Sequence, residues 1–375
     1  MPRKKVVFII NNFLVGGVEK LLLDIISRLD KQKFAVSIIT VFGAGPMEAS
    51  FRELGLPVYF AGGRAPFYIQ KFLYKIWWLL ITPGIIFRLV WWLWRFRPDV
   101  VVTSLYHADV IGMLSSWLAG VPRRVLIHHD VYQVGQLRAW LKRELGVGLA
   151  TTIVAVSNTV KEFVVDYFGA TNSRVEIISN GINTESFRGA NREADCSIAV
   201  LGMVGRLEPV KGPTVFAEAL QILQTKFKKT PSSFLGGSGS LKDELISYAS
   251  SCSLNNLKFD GVIRDVSAWM QKIDILIVPS ISEGFGLVVL EGLASGKIVI
   301  ASDLPATRGL ITNEVNGFLF QVGDAEALAG IIYHLITNQV VFNKIQQGVR
   351  QWRQEQLPHY DIDQVAKRYE ELLSE

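Results

Sequence analysis

Two cysteines in 375 residues, Cys196 and Cys252, are too few for a disulfide framework. That scarcity points to a reducing compartment, with both thiols expected to be buried and inert. Charged residues make up only 19% of the chain and apolar ones 49%, which excludes intrinsic disorder, because such a chain buries enough apolar surface to offset its ordering entropy. Glycine (32) and proline (13) are in no excess, so collagen-like and low-complexity polymers are excluded. In the most apolar segment the longest charge-free run, Ile76–Phe87, has twelve residues, short of the roughly 20 that span a bilayer. The apolar run Val6–Ile10 has five residues before Asn11, whereas a signal h-region needs roughly 7–15. It reads instead as a buried first strand. No zinc-finger, recognition-helix or aromatic RNA-binding signature is present, so nucleic acid is not expected as a partner.

The length suggests two domains at roughly 100–200 residues each. Charge is divided unevenly between them. Residues 1–190 hold 22 Lys/Arg and 13 Asp/Glu, a balance of +9, and residues 191–375 hold 17 and 21, a balance of −4. A basic half implies an anionic partner such as phosphates or a membrane surface. The segment Phe67–Arg97 concentrates Trp77, Trp78, Trp91, Trp92 and Trp94 with Lys71, Lys75, Arg88, Arg95 and Arg97. Tryptophan and basic residues on an apolar helix suit the headgroup region of a membrane, although packing on a sheet is the other reading. Pro83-Gly84 is expected to break this segment into two helices.

Short β-branched runs alternate with helical patterns along the chain. Val6–Ile10, Ala35–Val41, Asp99–Thr103, Arg124–Ile127, Ile153–Ala155 and Val175–Ile178 read as strands, with helices at Val18–Leu29, Ala108–Leu118 and Asn158–Tyr167. After the polar stretch Gly189–Asp195 the pattern restarts, with strands at Ile198–Val204, Leu257–Phe259, Ile273–Val278 and Ile298–Ala301 and helices at Pro213–Lys226 and Leu287–Ala294. The alternation predicts an α/β chain with two Rossmann-like parallel-sheet domains facing a cleft, the ligands beyond the carboxyl ends of the strands.

Three motifs follow strands. Pro279–Gly292 holds Glu283 in a Gly-rich turn and Glu291 eight residues later in the following helix, so both carboxylates can face one site. Backbone amides of Phe285, Gly286 and Leu287 at that helix N-terminus suit phosphate or sugar oxygens. Gly205–Gly212 supplies Arg206 and Lys211, two cations able to neutralise a diphosphate. Gly16-Gly17, before the first helix, offers amides to an anion. Against these stand the blander readings of surface charge and simple turns. The only Asp-x-Asp, Asp361-Ile362-Asp363, reads as a helix cap and not a metal site.

Together, Gly-Gly-x-Glu, Gly-Arg-Leu-x-x-x-Lys-Gly and the Glu-x7-Glu box with Glu-Gly-Phe-Gly resemble family 4 of the glycosyltransferases, retaining enzymes of the two-domain GT-B fold. Asn180-Gly181-Ile182, Ser302-Asp303, Leu304-Pro305 and Asn316-Gly317-Phe318 extend the resemblance over nearly the whole chain. The resemblance implies an amino-terminal acceptor-binding domain at 1–190, with the carboxy-terminal helix (about 358–375) packed back on it, and a nucleotide-sugar-binding domain at 191–357. It places Arg206 and Lys211 on the donor diphosphate, Gly17 beside it, Glu291 on the ribose hydroxyls and Glu283 near the reacting centre of the donor sugar. A histidine after an amino-terminal strand also belongs to the pattern. His129 aligns better than His128, and His107 lies in the loop after the preceding strand. Lys20 stands where the family more often has Arg, Gly309 where it often has Glu, and the strand before Gly237-Ser238-Gly239 is short.

The resemblance further implies a nucleotide-sugar donor, UDP- or GDP-linked, with no other cofactor and no metal. The expected acceptor is a lipid-linked or cell-surface glycan, and the expected location is peripheral, on the cytoplasmic membrane face. Two rival readings keep the fold: a sugar-nucleotide epimerase, which has no need of the Trp-rich segment, and a non-catalytic membrane-associated subunit, which has no need of an intact Arg206, Lys211, Glu283 and Glu291 set.

Overall fold

The computed structural model describes residues 2–14, 16–62, 73–131, 135–187 and 195–375, with backbone alone for 73–80. The chain divides into two compact units, Met1–Gly181 with Ile362–Glu375, and Ile182–Asp361. The boundary expected at 190/191 lies outside the described residues.

In the amino-terminal unit the elements run β1 (Lys4–Ile10), α1 (Gly17–Arg28), β2 (Phe34–Thr40), α2 (Glu48–Glu53), β3 (Val58–Phe60), α3 (Leu73–Phe96), β4 (Val100–Ser104), α4 (Met113–Leu118), β5 (Arg123–His128), α5 (Gln136–Leu141), β6 (Thr152–Ala155), α6 (Asn158–Phe168) and β7 (Val175–Ile177). The seven strands form one parallel sheet in the order β3-β2-β1-β4-β5-β6-β7. β1 is buried from Val6 to Ile10 and pairs with β2 on one side (Val6↔Val36) and β4 on the other (Val6↔Val100). The strand order reverses at β1/β4, the place where open parallel sheets bind ligands beyond the carboxyl ends of their strands.

In the carboxy-terminal unit come β8 (Leu201–Val204), α7 (Pro213–Thr225), β9 (Ser233–Gly236), α8 (Lys242–Ser251), β10 (Leu257–Gly261), α9 (Val266–Met270), β11 (Ile275–Val278), α10 (Leu287–Ala294), β12 (Ile298–Ser302), α11 (Pro305–Arg308), β13 (Gly317–Phe320), α12 (Ala325–Thr337) and α13 (Gln339–Glu355). The sheet order is β10-β9-β8-β11-β12-β13, parallel throughout, with the reversal at β8/β11. The last helix, α14 (Ile362–Ser374), returns to the first unit. It buries Val365, Ala366, Tyr369, Leu372 and Leu373, and its Glu370 accepts from the Asp30 backbone N–H at 2.6 Å.

Several expectations change. α3 runs unbroken through Pro83. A proline inside a helix costs about 3 kcal/mol. Ile85, Leu89 and Leu93, four residues apart, offset that by packing on Val7, Ile9, Ile39 and Val101 of the sheet. Cys196 is buried as expected, but Cys252, at the end of α8, is only half-buried. The pattern Ala108–Leu118 is helical but begins as a π-helical turn over Ala108–Gly112. β3 and β13, both short, and helices α8, α12 and α13 were not legible.

Candidate functional site

In the carboxy-terminal unit, the strand-order reversal sets the loop after β8 beside the loop after β11. Gly212 lets them close. Its φ is +64°, and a Cβ there would meet the Pro279 carbonyl oxygen at 2.0 Å, so no larger residue fits. The Ile281 N–H donates to the Val210 carbonyl at 2.9 Å, tying the two loops together. Lys211, on a 3₁₀ turn, donates to Glu283 Oε1 at 2.6 Å, and Ser280 Oγ donates to the same oxygen at 2.7 Å. The two side chains of the ion pair are 24% and 12% exposed, so water screens it little while a ligand still reaches it. Arg206 is exposed at the end of β8. Gly286 caps α10 with φ +88°, a left-handed turn that leaves the Leu287 end of the helix open. Phe285 is buried against Tyr360, ring centroids 6.0 Å apart. Glu291 lies in α10, half-buried.

In the amino-terminal unit, Gly16 is extended and caps α1, with Gly17 as the first helical residue. The Glu19 carboxylate lies over Gly16, where a Cβ would meet its Oε2 at 2.4 Å. A carboxylate in the first turn complements the helix dipole, so the chain's own anion sits at that amide cluster. Across the β1/β4 reversal, Asn11 Oδ1 accepts from the Ala108 N–H at 2.8 Å.

The two adjacent histidines after β5 part company. His128 points into an aromatic group, stacked on Phe163 (6.0 Å) and edge-on to Phe168 (5.6 Å). His129 is hydrogen-bonded through Nε2 to Ser104 Oγ at 3.0 Å. Burial pulls His129 down to about 3, with the Lys142 charge adding to it. His107, edge-on to Phe42 and Tyr106, is lowered to about 4 by burial and then by Arg138. All three rings are therefore neutral in the folded protein near pH 7.

Arg206, Lys211, Glu283, Phe285, Gly286, Leu287 and Glu291 all lie in the carboxy-terminal unit, and Gly16, Gly17 and His129 in the amino-terminal one. Sequence reasoning did not assign Ser280, Ser104, Glu19, or the buried ion pair Lys142–Asp109. Ser280 stood inside a motif already singled out. For Lys142 no sequence signal exists, because its partner lies on a distant turn.

Asp361 and Asp363 do not act as a pair: Thr184 Oγ1 donates to Asp361, and Arg28 pairs with Asp363. Among the described residues no group of three His, Cys, Asp or Glu could hold a metal ion. Also among them, no single helix is long and apolar enough to cross a membrane.

Two parallel-sheet Rossmann-like units, each with one strand-order reversal, make up the GT-B fold. The family model described as Glycosyltransferase Family 4 matches residues 15–186, and that described as Glycosyl transferases group 1 matches residues 192–352. A phosphatidyl-myo-inositol mannosyltransferase of Mycobacterium leprae is 30% identical over 279 residues, 70% of this chain and 71% of that protein. An Escherichia coli UDP-Gal:alpha-D-GlcNAc-diphosphoundecaprenol alpha-1,3-galactosyltransferase is 26% identical over 274 residues, 68% of this chain and 70% of that protein. Among solved structures, HepE of Anabaena in complex with UDP-glucose superposes with a TM-score of 0.82 at 22% identity, covering 99% of each chain. The chain belongs to family 4 of the glycosyltransferases, and its donor is a nucleotide sugar.

Proposed function

We propose that the protein moves a sugar from a UDP-linked donor to a lipid-linked or cell-surface glycan acceptor, with retention of configuration and without a metal ion. The observation that carries this reading is the Lys211–Glu283–Ser280 cluster at the β8/β11 reversal. Lys211 and Arg206 bind the donor diphosphate, the amides of Phe285, Gly286 and Leu287 add neutral donors, and Glu291 takes the ribose hydroxyls. Lys211 leaves part of its contact with Glu283 when the phosphate arrives, and Glu283 turns its freed oxygen to the donor sugar. Gly16 and Gly17 present their amides to an anion once Glu19 yields the helix terminus.

In the reaction the anomeric carbon–phosphate oxygen bond breaks, and the electron pair stays on the phosphate. The acceptor oxygen bonds to the same face, and its proton passes to the leaving phosphate oxygen. Cations and helix amides stabilise charge that appears only in the transition state, and such groups lower the barrier most. His129 orients the acceptor hydroxyl. A UDP-linked donor is supported by HepE, solved with UDP-glucose, and by the UDP-Gal-dependent galactosyltransferase; a lipid-linked acceptor is supported by that galactosyltransferase and by the phosphatidyl-myo-inositol mannosyltransferase.

The membrane contact belongs to the same reading. Phe67–Phe72 and the side chains of Trp77 and Trp78 lie outside the described residues. In the rest of α3, Phe87, Trp91 and Trp94 are exposed at 73%, 52% and 60%, on the face opposite Ile85, Leu89 and Leu93. Arg88 and Arg95 are exposed on the same side, while Trp92 packs on Tyr59 at 5.3 Å. An aromatic and basic outer face suits the cytoplasmic face of an anionic membrane. A panel of UDP- and GDP-sugars assayed for nucleotide release, with and without membrane extract, tests the reading. Release from a UDP-sugar that rises with extract supports it; no release from any sugar nucleotide overturns it.

A further inference from the structure

The stretch Gly284-Phe285-Gly286, between β11 and α10, carries a single side chain. Glycine on each side leaves its backbone many conformations to choose from, and Gly286 takes a left-handed one, φ +88°. Phe285 is only 7% exposed, so its ring is a buried anchor in an otherwise permissive loop.

That ring packs on Tyr360, centroids 6.0 Å apart and planes at 62°. Tyr360 closes the 3₁₀ turn Leu357–Tyr360, and its own ring stacks on Trp352 of α13, centroids 6.0 Å apart and planes 14° from parallel. The Tyr360 carbonyl accepts from the Ile182 N–H at 2.9 Å, and Ile182 pairs with the next residue, Asp361, in an isolated parallel bridge. Thr184 Oγ1 donates to the Asp361 carboxylate. Tyr360 is thus held from two directions, its backbone by the segment that opens this unit and its ring by α13. Neither contact depends on Phe285. The Tyr360 hydroxyl makes no hydrogen bond to any described residue, so the ring carries the contact with the loop.

We propose that Tyr360, backed by Trp352, is a positioning residue for the nucleotide-sugar site: its ring holds Phe285 so that the amides of Phe285, Gly286 and Leu287 are set before the donor diphosphate arrives. The proposal rests on the reading of that loop as part of the donor site. A loose Gly-Phe-Gly backbone would have to be ordered at the moment of binding, and that cost would be subtracted from affinity. Side chains locked from behind keep binding groups in place without it. A preset loop favours the bound donor and the transition state alike, so the benefit falls on affinity more than on turnover.

Titration calorimetry with UDP on the full chain tests this, with circular dichroism to check that each variant is folded. Y360L keeps an apolar side chain but loses the flat ring, and it should weaken UDP binding about tenfold, while Y360F should match wild type. In transfer assays Y360L should raise the donor KM about tenfold and leave kcat within about threefold of wild type. Hydrogen exchange at the amides of Phe285, Gly286 and Leu287 should be faster in unliganded Y360L and unchanged in Y360F. L223A, a core substitution toward the far end of α7, destabilises the same unit without touching the loop, and it should leave UDP affinity and those amides as they are. F285L removes the same contact from the loop side, so it should reproduce the loss even if Y360L folds poorly, and F285L/Y360L should bind no more weakly than F285L. Undiminished UDP affinity in folded Y360L or F285L, losses that add in the double variant, or an equal loss in L223A overturns the proposal. If K211A weakens UDP binding while Y360L and F285L do not, the positioning role falls and the donor-site reading stands; if none of the three does, both fall.

Discussion

The two units carry their polar groups in opposite surroundings. In the carboxy-terminal unit Lys211 and Glu283 sit partly buried on loops that Gly212 allows to touch, still within a ligand's reach. In the amino-terminal unit Lys142, Asp109, His128 and His129 are buried. Loop chemistry is written in short motifs because backbone geometry demands particular residues at fixed offsets. Buried chemistry is written in contacts between distant segments, each of which looks ordinary alone. The difference is expected to divide the consequences of mutation, with stability falling most at the buried set and turnover at the loop set.

The largest expected effect is on the buried side. K142M, which leaves Asp109 as a buried lone carboxylate, should destabilise the protein by about 3–5 kcal/mol, read by denaturant unfolding. A loss below about 1 kcal/mol would place the pair in effective contact with water and erase the contrast between the units.

In the loop pair, where Ser280 stays on Glu283, K211A should change the unfolding transition far less than K142M does and lower kcat tenfold or more. One charge-assisted contact to a leaving phosphate is worth about 1.5–3 kcal/mol. Unaltered kcat and kcat/KM would take Lys211 out of the site.

Acid sharpens the comparison without any mutation. His107 and His129 are lowered from 6.5 to about 4 and about 3 in the folded protein, and His128 is held well below its usual value, in each case first by burial. The unfolded chain takes up protons near 6.5 that the folded one refuses. Stability is therefore complete above pH 6.5 and is lost as pH falls from there toward 4. The loss is about 1.4 kcal/mol per histidine per pH unit. Substituting H128F should flatten the slope measured between pH 6.5 and 5; an identical slope would show that His128 is exposed to water.

The smallest effect separates two variants of one residue. E291A should weaken nucleotide binding more than E291Q, because a carboxylate holding two ribose hydroxyls loses both contacts in the first and keeps one in the second. Titration calorimetry with UDP reads the difference, and equal, negligible changes would sink the ribose assignment.

Much of the fold was legible because strands buried on both faces read as apolar runs. Val6–Ile10 and Ile275–Val278 are examples, and both proved fully buried. β3 escaped because none of its three residues is fully buried, and β13 because its Gly317-Phe318 start reads as a turn motif. Pro83 misled for a different reason: a local propensity was outweighed by Ile85, Leu89 and Leu93 packing on the sheet. In the candidate site, the motifs after β8 and β11 were each legible, but the Lys211–Glu283 contact between them was not, because its partners lie 72 residues apart. The Ser104–His129 bond was not readable, because it depends on the register that sets β4 beside β5.

The central claim is retaining sugar transfer from a UDP-sugar without a metal. The most direct measurement is proton NMR of the freshly formed glycoside, made from a UDP-α-sugar and membrane-extract acceptor in excess EDTA. The account predicts an α-linked product at undiminished rate, with the K211A protein at least about tenfold slower. A β-linked product, or activity lost in EDTA and restored by magnesium or manganese, would contradict it.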